Sequence, residues 1–143
     1  MTMANVMLVD DEEPFVEAMT KRLSKKGLNV ISAFSGHEAL NKLELNRMID
    51  VIILDVKMPG MDGIEALQEI KSKYPLVEVI MLTAHATVES AIDGMKLGAF
   101  DYLMKPCEME QLLSKIEEAK DKKSKHEEKI REAKVKELSS KFD

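Results

Sequence analysis

With 143 residues, 45% hydrophobic and 33% charged, the chain has room for one core and a modest appendage, and its composition excludes a disordered protein. No run approaches the roughly 20 apolar residues that cross a bilayer, no basic and apolar signal segment opens the chain, and the single Cys107 excludes an internal disulfide, so a cytoplasmic location without membrane insertion is expected. The net charge of −5 lies within residues 1–106 while 107–143 are neutral, which argues against direct nucleic-acid binding by the compact part, because phosphate contacts need clustered cations.

In chain order, strand-like apolar runs at 4–9, 28–33, 50–55, 77–82 and 100–103 alternate with helical periodicity at 14–26, 36–46, 63–73, 87–97 and from 108 onward. Such alternation predicts an α/β fold with helices covering both faces of a parallel sheet. The third and fourth runs are apolar almost throughout and are expected inside the sheet; the second partly alternates and is expected at an edge. Pro14 suits a first helical turn and Gly27 a left-handed helix end. Ser35 with Glu38, and Asp62 with Glu65, have the spacing of N-terminal caps, and Pro75 stops the third helix. Met109, Leu112, Leu113, Ile116 and Ala119 form a stripe for docking a final helix. We therefore divide the chain into a domain at 1–120 and a charged, helical extension at 121–143. A 3-4 spacing continues through Lys123, His126, Ile130 and Ala133, but its polar centre weakens a coiled-coil reading.

Four strand-like runs end in reactive groups: Val6 to Val9 before Asp10 and Asp11, Val51 to Leu54 before Asp55, Val79 to Leu82 before Thr83, and Tyr102 to Met104 before Lys105 and Pro106. In open α/β sheets the carboxyl edge of the strands is where ligands bind. Three carboxylates gathered there repel one another by roughly 3 kcal/mol per pair at 5 Å and an effective dielectric near 20. A hard cation, Mg²⁺, offsets this and leaves coordination positions for phosphate oxygens. His37, His85 and His126 fall in unrelated contexts, so zinc is not favoured. With phosphate held there, Asp55 can attack phosphorus and become an acyl phosphate, while Thr83 and Lys105 contact oxygens that the metal leaves uncovered. Pro106 holds the turn of Lys105, with a cis peptide available to it.

Val9-Asp10-Asp11-Glu12, the run from Leu54-Asp55 through Lys57-Met58-Pro59-Gly60-Met61-Asp62-Gly63, Leu82-Thr83-Ala84, and Gly98 through Lys105-Pro106 together resemble the receiver domain of two-component response regulators. The likeness extends from about Ala4 to Lys120. It implies a flavodoxin-like sheet of five parallel strands in the order 2-1-3-4-5. It also implies Asp55 as phosphoacceptor, Mg²⁺ held by Asp10, Asp11, Asp55 and the backbone carbonyl of Lys57, and Thr83 and Lys105 as phosphoryl-binding residues. Tyr102 is implied as the switch aromatic that moves with Thr83, and Lys57 and His85 as residues tuning dephosphorylation.

The function implied is a signalling switch, not a metabolic enzyme. It accepts a phosphoryl group from a histidine kinase or phosphotransfer protein and alters the face formed by the fourth helix, fifth strand and fifth helix. An output protein of unknown identity, and a homodimer through that face or through the extension, are the expected partners. The alternative is a Mg²⁺-dependent phosphatase of the haloacid-dehalogenase type; it wants a second aspartate two residues after the first, where this chain has Lys57. A flavin carrier on the same fold is disfavoured by the acidic strand ends. The segment Gly98 to Pro106 looks most like receivers of the nitrogen-regulation type, which normally precede an ATPase and a DNA-binding domain. A stand-alone receiver is nonetheless the expectation drawn from this chain.

Overall fold

The computed structural model describes residues 4–141. Ten elements alternate: β1 (Asn5–Val9), α1 (Glu13–Lys25), β2 (Asn29–Ala33), α2 (Gly36–Leu45), β3 (Val51–Leu54), α3 (Gly63–Lys73), β4 (Glu78–Thr83), α4 (Val88–Lys96), β5 (Asp101–Met104) and α5 (Met109–Lys141). All strand pairs are parallel, in the order β2-β1-β3-β4-β5. The edge position expected for the second strand and the interior positions of the third and fourth are observed, and every residue of β3 and β4 is buried.

Because side chains alternate across a strand, each interior strand feeds two cores. Val6, Leu8, Val51, Ile53, Ile80 and Leu82 point to one face and pack with Val16 and Leu23 of α1 and Leu112, Ile116 and Ala119 of α5. Met7, Val9, Ile52, Leu54, Val79 and Met81 point to the other, against Ala39 and Leu43 of α2 and Ala66, Leu67 and Ile70 of α3. Burying a large aliphatic side chain stabilises by about 1.5–3 kcal/mol, so these two layers hold the sheet edges where the chemistry lies.

The caps follow their spacing in the half made by the N-cap side chain. Ser35 Oγ accepts the Glu38 N–H and Asp62 Oδ1 the Glu65 N–H. The Glu38 carboxylate, however, takes the N–H of Phe34 instead of that of Ser35, so the reciprocal half of a capping box is displaced by one residue. The complete box is at α4, between Thr87 and Ser90, where the spacing rule for Glu or Gln did not apply. Gly27 has φ +90° beyond α1, as a left-handed end requires.

The final helix runs through residue 120 without a break, 33 residues in all and about 50 Å long. Lys123, beyond that point, is buried and pairs with Asp50 Oδ1 at 3.3 Å, while Lys120 reaches Asp50 Oδ2 at 3.2 Å. The first four positions of the 3-4 spacing, Leu112, Ile116, Ala119 and Lys123, are thus spent on the chain's own sheet.

Candidate functional site

Backbone hydrogen bonds continue past the strand ends and draw the reactive loops together. The Asp10 N–H donates to Ala33 O, the Asp55 N–H to Val9 O, and the Lys105 N–H to Thr83 O at 2.9–3.1 Å. Asp10, Asp55 and Thr83 are therefore buried, and Asp11 is exposed. One carboxylate oxygen from each of Asp10, Asp11 and Asp55 lies within 4.8 Å of the others. Asp55 Oδ1 is buried and has no hydrogen-bond partner among the described residues.

The loop after Asp55 is held by a close approach. The Gly63 N–H donates to Val56 O at 2.6 Å, and a Cβ on Gly63 would stand 2.0 Å from the Asp55 carbonyl oxygen. Only glycine lets α3 begin this close to the aspartate's backbone.

Lys105 is joined to Pro106 by a cis peptide bond, the geometry available to proline in that turn. Its Nζ donates to Asp10 Oδ2 at 2.7 Å and to Glu12 Oε1 at 3.3 Å, and sits 3.8 Å from the centroid of the Phe15 ring. Burial alone would lower the pKa of this ammonium, but the hydrogen bond to Asp10, the charges of Asp10 and Asp55 and the hydrogen bond to Glu12 outweigh it and raise the pKa above the ordinary lysine value. Burial likewise raises the Asp10 carboxyl above the usual range, helped by the Asp55 charge; the bonds from Lys105 and the Glu12 N–H oppose this without cancelling it.

Thr83 Oγ1 accepts the backbone N–H of His85 at 3.0 Å, leaving its own O–H to donate. Lys57 is exposed and, with His85, borders a cleft of about 410 Å³ completed by Asp11, Glu12, Met58 and Pro59. Tyr102 lies apart from the carboxylates: half-buried, it shares a 2.6 Å hydrogen bond with Ser90 Oγ in the α4 capping box. Glu12, Phe15 and Ser90 were given no role in the sequence reading. Glu12 was visible there as part of an acidic run, whereas the contacts of Phe15 and Ser90 depend on side chains distant in the chain and leave no local signal.

Comparison with known proteins gives the same answer from several directions. A family model described as the response regulator receiver domain matches residues 6–117. The transcriptional regulatory protein ZraR of Salmonella typhimurium is 36% identical over 115 residues, covering 80% of this chain and 26% of ZraR. The DNA-binding transcriptional regulator NtrC of Klebsiella pneumoniae is 35% identical over 112 residues, covering 78% of this chain and 24% of NtrC. The chain thus spans about a quarter of the length of these curated relatives. A response regulator receiver domain protein from Clostridium thermocellum superimposes with a TM-score of 0.81 at 37% identity, over 85% of this chain and 98% of that one. The phosphatase alternative finds no support among them. A five-stranded 2-1-3-4-5 sheet, acidic groups meeting at its carboxyl edge and a family match over most of its length place this chain in the receiver family of two-component response regulators.

Proposed function

We propose that the chain is a phosphorylation-dependent switch in which Asp55 accepts a phosphoryl group from a histidine kinase or phosphotransfer protein. The observation that carries this reading is the buried, unpartnered Asp55 Oδ1 beside two more carboxylates and within the electrostatic reach of Lys105. An unpaired carboxylate oxygen in a buried site is costly, and an all-oxygen donor set without histidine or cysteine suits a hard cation. Asp10, Asp11, Asp55 and the backbone carbonyl of Lys57 would hold Mg²⁺. When bound, the ion supplies positive charge that offsets the carboxylates and the phosphate oxygens.

The chain's own residues do the rest. An Asp55 carboxylate oxygen attacks phosphorus, the bond from phosphorus to the donor nitrogen breaks, and the electron pair leaves with the donor. Thr83 donates its free O–H to one equatorial oxygen and Lys105 an N–H to another, as positioning and charge stabilisation in phosphoryl transfer require. Drawing Thr83 toward the phosphoryl group opens space for Tyr102, and the face formed by α4, β5 and α5 changes. Moving the active state from 1:99 to 99:1 takes about 5.5 kcal/mol of preference, shared between modification and partner. The partner is an output protein read through that face, or a second copy through the same face or the α5 extension. The protein works in the cytoplasm, has no catalytic activity beyond its own phosphorylation and dephosphorylation, and this chain does not itself bind nucleic acid.

The test is incorporation of label from phosphate-labelled acetyl phosphate. Acid-labile, base-labile labelling is expected with Mg²⁺, and none after chelation or in Asp55→Asn. Undiminished labelling of that variant would overturn the assignment.

A further inference from the structure

The ammonium of Lys105 has three N–H donors and three neighbours: Asp10 Oδ2 at 2.7 Å, Glu12 Oε1 at 3.3 Å and the face of the Phe15 ring at 3.8 Å. Its side chain is only 12% exposed, so water compensates little of the cost of removing the charge from solvent. The two carboxylates are unequal partners. Asp10 is buried, whereas the Glu12 side chain is 56% exposed. Glu12 occupies the N-cap position of α1 yet makes no side-chain cap bond there; its carboxylate turns to the lysine instead. Phe15 sits in the first turn of α1 and packs against the core beneath that helix, so its ring is anchored while the face beneath the ammonium stays available.

We propose that Phe15 is a positioning residue for phosphoryl transfer, its ring holding the Lys105 ammonium at the carboxyl edge of the sheet by a cation–π contact. The proposal rests on the reading of Lys105 as a phosphoryl-binding group. An aromatic face attracts a cation without neutralising it. A third carboxylate at that place would compete with the phosphoryl oxygens for the lysine's donors. The ring does not, and keeps the charge over the site while Lys105 exchanges its exposed partner Glu12 for a phosphoryl oxygen. Without the ring, Asp10 alone would hold the ammonium once Glu12 is released, and the flexible four-carbon stem would have more room to swing it about that single contact.

The experiment compares Phe15→Leu, Phe15→Tyr and Lys105→Ala in the full chain, with initial rates of phosphorylation from acetyl phosphate at saturating Mg²⁺ and proton NMR of the Lys105 side chain. Leucine preserves apolar volume and removes the quadrupole; tyrosine retains the face. Phosphorylation should slow by about three- to ten-fold in Phe15→Leu and stay within about two-fold of wild type in Phe15→Tyr. In the unaltered protein the Lys105 ε-methylene protons should be shifted upfield by the ring, a signature that needs no variant to fold. Unchanged rates in Phe15→Leu, equal losses in the leucine and tyrosine variants, or unshifted ε-protons would each overturn the proposal. A wild-type rate in Lys105→Ala would overturn the phosphoryl-binding reading beneath it, and would do so even with the ring-current shift present, which separates the two failures.

Discussion

Replacing the charge of Asp55 should make the metal-free protein more stable while removing its response to magnesium. Asp10 and Asp55 are 1% and 2% exposed, and their nearest oxygens lie within 4.8 Å. At that distance and an effective dielectric near 20, two carboxylates repel by about 3 kcal/mol. Asp55→Asn removes this repulsion, and the new amide can donate to a neighbouring carboxylate. Against this stands the lost attraction between Asp55 and Lys105. A net gain of about 2 kcal/mol, or about 6 °C in Tm for a chain of this size, is expected in chelator and low salt. The assay is thermal denaturation by circular dichroism across a Mg²⁺ titration. At ten times its Kd the ion should add about 1.4 kcal/mol to the unaltered protein through preferential binding to the folded state. The variant should gain little. Equal or lower Tm for Asp55→Asn without metal, or equal magnesium shifts in both proteins, would refute the electrostatic reasoning.

Gly63→Ala forces a Cβ to 2.0 Å from the Asp55 carbonyl oxygen and 2.7 Å from Val56 Cα; since these are backbone atoms, a loss of about 3 kcal/mol in urea denaturation is expected, together with slowed phosphorylation. Tyr102→Phe removes the 2.6 Å bond to Ser90 Oγ but leaves the Thr87–Ser90 box intact, and should cost about 1 kcal/mol. Tyr102→Ala should still be phosphorylated yet transmit less to partners, measured as the ratio of partner affinities with and without a phosphoryl mimic; an unchanged ratio removes Tyr102 from the pathway. Because Asp10 has a folded-state pKa above its ordinary value of 3.8, the folded state holds that proton more tightly than the unfolded chain does. Its contribution to stability is therefore complete below pH 3.8 and is lost as pH rises through the folded value. The Tm of Asp10→Asn relative to the unaltered protein should climb across that interval, and a flat difference would contradict the shift.

The strands, the helices and the carboxyl-edge residues were legible because each leaves a local mark. Two-residue alternation and buried apolar runs identify strands, 3-4 spacing identifies helices, and a polar group closing an apolar run marks a strand end. Asp10, Asp55, Thr83 and Lys105 could be read this way, together with the edge position of β2. The cap spacing at Ser35 and Glu38 was legible and is observed, whereas the bond from the Phe34 N–H to the Glu38 carboxylate leaves no such mark. The division at residue 120 was drawn on a change of composition. Composition does not register that Lys123, one turn further, meets Asp50 at a separation of 73 residues.

The periodic pattern and the chemistry of the strand ends thus determined the sheet, its carboxyl edge and the groups delivered there, because spacing along a chain translates directly into faces and ends of regular elements. Tertiary structure alone decided which side chains touch: Lys105 on Asp10 across 95 residues, its ammonium over Phe15, Tyr102 on Ser90, and the helix after residue 120 clamped at Asp50. Such contacts depend on the register of neighbouring strands and on side-chain rotamers chosen by packing, and neither quantity is written in any local stretch of residues.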